Sequence, residues 1–470
     1  MAIRRDRRPR VGLLALTLEL YETLSPGLRA GREAWLRAKV LPALEPIADV
    51  LFHGAVYRRN DVVAAVSAFE TAGADAILVI LLTYSPSQIA LPALKRTRLP
   101  IIVWNTQELF AVDEAFTPDD MTENHGVHGT QDLCNVLLRS GAPFEYVTSH
   151  VRDAEGMRAL ADFFAAARAV RRLRDARVGL LGYPFPGMGD FAVDTTHMVA
   201  SLGCEGVILP MEDYVNRCAA ADEKDARALV KEYREAYDVA PDVTDVDLEA
   251  TARVELALRG VISEHGLAAL TYQFLAFGDD SRTLTVPFVA ASRLMADDIG
   301  FGGEGDIIAA VGTAFLNWLH PPASFGEIFT IDFAGNAVLM SHMGEANVAM
   351  ARADQRIRLV ARDAPITRTR ERQLALITCF EPGSATLCAL TLGPGGRWRL
   401  VTSMMSIPDF GPLTAMQTPH FKLVPSGDVR DFLTAYATAG GPHHSAVCFG
   451  DARPRLKYAA RLLHADYCEV

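Results

Sequence analysis

The sequence has seven cysteines but no C-x-x-C pair. Cys134, Cys204, Cys218, Cys379, Cys388, Cys448 and Cys468 are scattered and odd in number. That excludes a zinc ribbon and a disulfide framework, and it fits a reducing compartment. No long apolar run is present. The longest purely apolar stretch, residues 76–82, falls far short of the ~18 residues a membrane span needs. A positive excess is also lacking: Lys+Arg 46 against Asp+Glu 57 leaves −11. Such a chain has no general basic face for neutralising phosphates, which excludes a general nucleic-acid binder. The basic start, residues 1–10, runs straight into the apolar residues 11–16. These are too few for the apolar core of an export signal, so the expectation is a cytoplasmic protein. There is no internal repeat and no low-complexity segment. What remains is 470 residues, 50% hydrophobic and 22% charged, enough for two or three globular domains.

Apolar runs alternate with amphipathic stretches over the first part of the chain. Residues 11–16, 50–53, 76–82, 100–104 and 144–147 read as strands. Residues 30–47, 61–72, 129–138 and 153–173 read as helices. The alternation restarts with a strand at 177–181, a turn-rich stretch at 182–189, a helix from 195 to 201 and a strand at 207–209. Long charged helices follow at 212–237 and 245–264, then a strand at 268–274 and a helix at 288–297. Continuous apolar strands between helices predict parallel sheets. From about residue 327 short strand-like pieces separated by AGNA, EPGS and GPGG turns predict an antiparallel sheet or small barrel, closed by helices at 429–437 and 454–463. The expected fold class is therefore α/β: two Rossmann-like (flavodoxin-like) parallel-sheet domains, 1–174 and 175–326, followed by a mainly antiparallel, barrel-like domain, 327–470.

Four stretches can carry chemistry. FGGEGD at 301–306 places glycines and carboxylates immediately before an apolar helix, a position where α/β proteins hold ligands; the ordinary alternative is an acidic pair serving the helix dipole. Glu327 and His342 flank a turn at Gly335-Asn336, so a hairpin would bring them together. A carboxylate with an imidazole suits a divalent transition metal; apart from that they read as a strand-start carboxylate and an edge histidine. GGPHHS at 440–445 puts His443 and His444 in a rigid loop, where at most one of the two points inward on a regular path. NHGVHG at 124–129 spaces His125 and His128 one helical turn apart. His53, His150, His197, His265, His320 and His464 read as structural.

On FGGEGD, on GNAVLMSHMGE at 335–345 and on GGPHH at 440–444, the sequence resembles the L-arabinose isomerase / L-fucose isomerase superfamily, nearest its arabinose side. NHGVHG and residues 286–295 give weaker support, and the blocks keep their order along essentially the whole chain. The resemblance implies an intramolecular oxidoreductase, an aldose–ketose isomerase, with a divalent metal (Mn²⁺, or Co²⁺ or Mg²⁺) held by Glu304, Glu327, His342 and His444. It implies Glu304 and Glu327 as the acid/base pair, Glu304 being the base, and His128 and His443 as sugar contacts. It also implies a trimer or hexamer with shared sites, in which His128 serves a neighbour. Where the family tends to carry a glutamine after the first strand, this chain has Leu18, and GYPFPGMGDF at 182–191 has no counterpart among arabinose isomerases proper. Both departures point to a sugar other than L-arabinose. Two alternatives use much of the same reading: a metal-dependent sugar aldolase or lyase, and a non-catalytic two-lobed sugar-binding protein.

Overall fold

The computed structural model describes residues 8–470. The chain divides into two compact units, one ending at Arg171 and the other running from Arg172 to Val470. In the first, five parallel strands lie in the order Asp49–Leu51, Arg10–Leu16, Ala76–Leu81, Ile101–Asn105 and Glu145–Thr148. This 2-1-3-4-5 order is the flavodoxin-like winding. Ala76–Leu81 is buried at every residue, as expected for a central strand covered on both faces. Its core includes Leu14, Val66, Phe69, Val79, Val103 and Leu133.

The second unit contains three sheets. Gly300–Gly302, Ala269–Tyr272, Arg177–Leu181 and Glu205–Leu209 form a parallel sheet in that order. It has four strands, so the Rossmann-like expectation is met only in part here. A second sheet is antiparallel apart from one appended strand. Its six strands Gly383–Leu392, His444–Phe449, Ala323–Asp332, Ala337–Ser341, His420–Pro425 and Trp398–Ile407 close on themselves through Gly383–Leu392 and Trp398–Ile407. Asp466–Glu469 adds to the outside in parallel. Closure removes exposed edges, and Val338, Leu387, Val401, Leu423 and Val447 fill the core. A third sheet pairs Gln373–Ile377 with Arg358–Arg362 and borrows Asp238–Val239.

Several elements depart from the expected pattern. The helix expected over 212–237 is two helices, Met211–Ala220 and Glu223–Ala236. Asp222 caps the second by accepting from the backbone N–H groups of Lys224 and Asp225. The helix expected over 30–47 passes through a π-helical turn at Leu36–Val40 before ending at Leu44. The loop expected over GGPHHS ends two residues earlier than expected, because His444 already opens a barrel strand. The strand Gly300–Gly302 is only three residues long, too short to show a period. Among the described residues no helix is long and apolar enough to cross a membrane.

Candidate metal centre

The barrel brings Glu327 and His444 together by register. Glu327 pairs with His444 on one side and with Ser341 on the other, and directly opposed residues in a sheet present their side chains to the same face. His342 follows Ser341 as the chain leaves its strand. The turn at Asn336, which adopts a positive φ of 51°, closes the expected hairpin. Glu304 arrives from the parallel sheet, at the C-terminal end of Gly300–Gly302. There Asp306 N–H donates to the carbonyl of Gly303 (2.8 Å), and both central residues, Glu304 and Gly305, have positive φ of 58° and 82°. Such a turn favours glycine, and Glu304 adopts it without being one. Its conformation is held from outside: Phe185 N–H donates to the Glu304 carbonyl at 2.9 Å. Gly303 is required by contact, because a Cβ there would lie 2.6 Å from His342 Nε2.

Glu327, His342 and His444 have ligating atoms within 4.8 Å of one another, as do Glu304, His443 and His444. His444 belongs to both groups. Behind each inner histidine stands a buried carboxylate. His342 Nδ1 is 2.7 Å from Glu345 Oε2, and His444 Nδ1 is 2.9 Å from Asp306 Oδ2. Donation of each Nδ1–H fixes the tautomer and leaves Nε2 as a lone pair facing inward. His444 Nε2 is buried and has no hydrogen-bond partner; it lies 3.8 Å from Glu304 Oε2. An orphaned buried acceptor facing a carboxylate is costly unless a cation occupies the space between. The donor set of two imidazole nitrogens and two carboxylates therefore fits a divalent metal.

The electrostatics separate the two glutamates. Burial works to raise Glu304, but His443, His342 and His444 outweigh it and hold the carboxyl below its ordinary range. Burial raises Glu327, and the nearby histidines only partly offset this. Burial, with His342 and His443 beside it, keeps His444 neutral, the form a ligand needs. Burial lifts Asp306 to about 7. Burial resists charging of His342, but Glu345, Glu327 and Glu304 together raise it. Phe325 forms the hydrophobic wall, its ring 4.8 Å from that of His342 and 4.9 Å from that of His444.

Five of the seven expected site residues, Glu304, Glu327, His342, His443 and His444, thus meet in the second unit. Leu18 and His128 lie in the first. Leu18 O accepts from Tyr21 N–H (3.1 Å), and Tyr21 Oη is 2.7 Å from His125 Nε2. His128 stacks on Tyr84 at 4.9 Å and lies 5.3 Å from His125. The glycines of NHGVHG have a packing role: a Cβ on Gly126 would strike the Leu81 carbonyl at 2.3 Å. The expectation for Asp306 was a helix-terminal acid. It is one, accepting from Ala309 N–H, and it also holds His444. Glu345 and Tyr272 were not singled out by sequence. Tyr272 Oη donates to Glu345 Oε1 at 2.6 Å, completing a Tyr–Glu–His chain. The only sequence signal was the position of Glu345, three residues after His342.

Comparison with known proteins shows which family the chain resembles along its length. Three family models match in succession: the fucose/sulfoquinovose isomerase N-terminal domain over residues 37–174, the L-arabinose isomerase central domain over 188–319 and the L-arabinose isomerase C-terminal domain over 322–466. Relatives include the L-arabinose isomerase of Acidothermus cellulolyticus, 28% identical over 81% of this chain and 77% of that protein. That of Nocardioides sp. is 29% identical over 78% and 74%, and that of Aeromonas hydrophila 26% over 84% and 80%. The family models and these relatives define a class, the aldose–ketose isomerases, which are intramolecular oxidoreductases. Within that class the chain belongs to the L-arabinose isomerase / L-fucose isomerase superfamily.

Proposed function

We propose that the protein interconverts an aldose and its ketose by proton transfer between C1 and C2, at a divalent metal held by Glu304, Glu327, His342 and His444. The observation that carries this is the pair of buried histidines, each with Nδ1 on a buried carboxylate, facing two glutamates. A bound divalent cation supplies Lewis-acid polarisation of the two substrate oxygens. The chain's own groups supply the proton traffic. Glu304, held ionised, takes the α-proton, and Glu327, raised by burial, is the matched acid. Opposite shifts in two neighbouring carboxyls are the pattern of an acid/base pair. His443 and His128 contact sugar hydroxyls, with His128 supplied by another copy in a trimer or hexamer. The metal is Mn²⁺ in this reading, with Co²⁺ or Mg²⁺ as substitutes. The three-domain division at 174/175 and 326/327 and a cytoplasmic location belong to the same reading; the spans of the family models support the former.

The substrate is a sugar other than L-arabinose. C1 and C2 chemistry is common to all aldoses, so discrimination falls to groups at the far end. Leu18 offers no donor or acceptor there. The test is to incubate the protein with Mn²⁺ and a panel of pentoses and 6-deoxyhexoses in D₂O. Ketose carrying solvent deuterium supports the reading. Cleavage products would establish the aldolase alternative, and ketose without deuterium would replace proton transfer by a hydride shift. Binding without turnover would leave a sugar-binding protein.

A further inference from the structure

The stretch 182–191, GYPFPGMGDF, contains none of the four proposed ligands yet packs against the site at several points. Its first contact is the Phe185 N–H donated to the Glu304 carbonyl. Close packing there leaves no room for a side chain at Gly305, whose Cβ would lie 2.5 Å from the Tyr183 carbonyl. Its second contact is Asp190. One oxygen, Oδ2, accepts from the backbone N–H of His443 at 3.1 Å and lies 2.5 Å from the ring Nδ1. Phe191, 2% exposed, backs both histidine rings, with centroids 5.8 Å from His443 and 6.0 Å from His444.

These contacts leave His443 with one free ring atom. Nε2 is buried without a hydrogen-bond partner and lies 3.7 Å from Glu304 Oε2. That gap is too long for a hydrogen bond. The ring is gripped at its backbone, at Nδ1 and on its face, while its other nitrogen is aimed at the mouth of the glutamate that carries the proton. His444 uses the same geometry toward the metal, but its side chain is fully buried, whereas that of His443 is 30% exposed.

We propose that Asp190 is a positioning residue, which holds the Nδ1–H of His443 and so presents Nε2, as an acceptor, to a sugar hydroxyl beside Glu304. The proposal rests on the isomerase reading for the identity of the oxygen, not for the Asp190–His443 contact. A carboxylate behind an imidazole selects its tautomer, and an acceptor fixed in advance holds the sugar hydroxyl in place without reordering the ring. Loop 182–191 thereby joins the central parallel sheet to the histidine pair of the barrel, through a residue with no metal-ligating role.

The experiment combines kinetics, metal titration and proton NMR on the full-length protein. The Nδ1–H of His443 is expected as a downfield imidazole resonance, assigned by its loss in His443→Gln, and it should also be lost in Asp190→Ala. Asp190→Ala should lower kcat by about 10- to 100-fold, with KM and Mn²⁺ affinity changed less than about threefold. The double variant Asp190→Ala/His443→Ala should be no worse than His443→Ala alone, since both act through one ring, and Asp190→Glu should recover part of kcat. Persistence of the resonance in Asp190→Ala, additive losses in the double variant, or undiminished kcat would overturn the proposal. A tenfold or larger loss of Mn²⁺ affinity in Asp190→Ala would overturn it differently, by making His443 a metal ligand. Should the wild type isomerise no aldose, only the isomerase reading fails; the resonance still decides whether Asp190 holds His443.

Discussion

Replacing Glu345 by Gln tests the metal centre without touching a ligand. Glu345 is 2% exposed and accepts three hydrogen bonds: His342 Nδ1 at 2.7 Å, Tyr272 Oη at 2.6 Å and Gly344 N–H at 2.9 Å. Oε2 serves His342 and Gly344, and Oε1 serves Tyr272. A glutamine can keep its carbonyl oxygen toward His342 and Gly344 and turn its amide toward Tyr272, whose hydroxyl can rotate to accept. Shape and hydrogen-bond count are thus preserved, and what is lost is the negative charge behind the imidazole. Loss of such a partner costs about 10- to 100-fold in metal affinity, or roughly 1.4–2.8 kcal/mol. Glu345→Ala should behave differently, because it orphans three donors and also costs about 1–3 kcal/mol of folding stability. Isothermal titration with Mn²⁺ at about pH 8, where proton competition at His342 is reduced, gives the affinities, and calorimetric melting of the metal-free protein gives the stabilities. The reasoning is refuted if Glu345→Gln binds Mn²⁺ within twofold of the wild type, or if its metal-free melting temperature falls as far as that of Glu345→Ala.

Gly303→Ala should displace the His342 ring and weaken Mn²⁺ binding by at least about tenfold, because its new Cβ meets Cε1 and Nε2 at 2.5 and 2.6 Å; unchanged affinity in a titration would contradict the contact. Mn²⁺ affinity should fall as pH drops, with one inflection from the raised His342 value and another from the raised Glu327 value, where a proton competes with the ion for the carboxylate. The Glu327 inflection should disappear in Glu327→Gln, and its persistence would assign it to another group. Mixing inactive His128→Ala and Glu304→Gln chains under subunit exchange should restore activity through hybrid sites; none, with exchange proven, would confine each site to one chain. Leu18→Gln should shift preference toward L-arabinose by about 1–3 kcal/mol, read as the ratio of kcat/KM values between sugars, and no shift would remove Leu18 from the specificity question.

The elements that sequence revealed are those whose signal is local. Residues 76–82 read as a buried strand from an unbroken apolar run, and Glu327 and His342 read as neighbours because Gly335-Asn336 marks the turn between them. The barrel was visible as a cadence of short strands, with the GPGG turn joining Gly383–Leu392 to Trp398–Ile407, but which strands close it was not, because the pairing of Gly383–Leu392 with His444–Phe449 is a long-range fact. The split at Asp222 escaped because no glycine or proline marks it; an aspartate accepting from the next turn does the work. The supporting carboxylates were hidden for a similar reason. Tyr272 and Glu345 are 73 positions apart, and Asp190 and His443 are 253 apart. No periodicity connects them, and only the docking of sheet on barrel does.

The strand His444–Phe449 lies between Ala323–Asp332 and Gly383–Leu392, and the barrel has no other route to closure there. A chain still emerging from the ribosome, or clipped before residue 444, therefore carries two bare strand edges and lacks a histidine common to both ligand clusters. With the proposed metal centre, retention of an ion would report on whether synthesis has reached the last strands. A partial product would then be marked twice, by an incomplete ligand set and by sticky edges of the kind that chaperones and proteases engage.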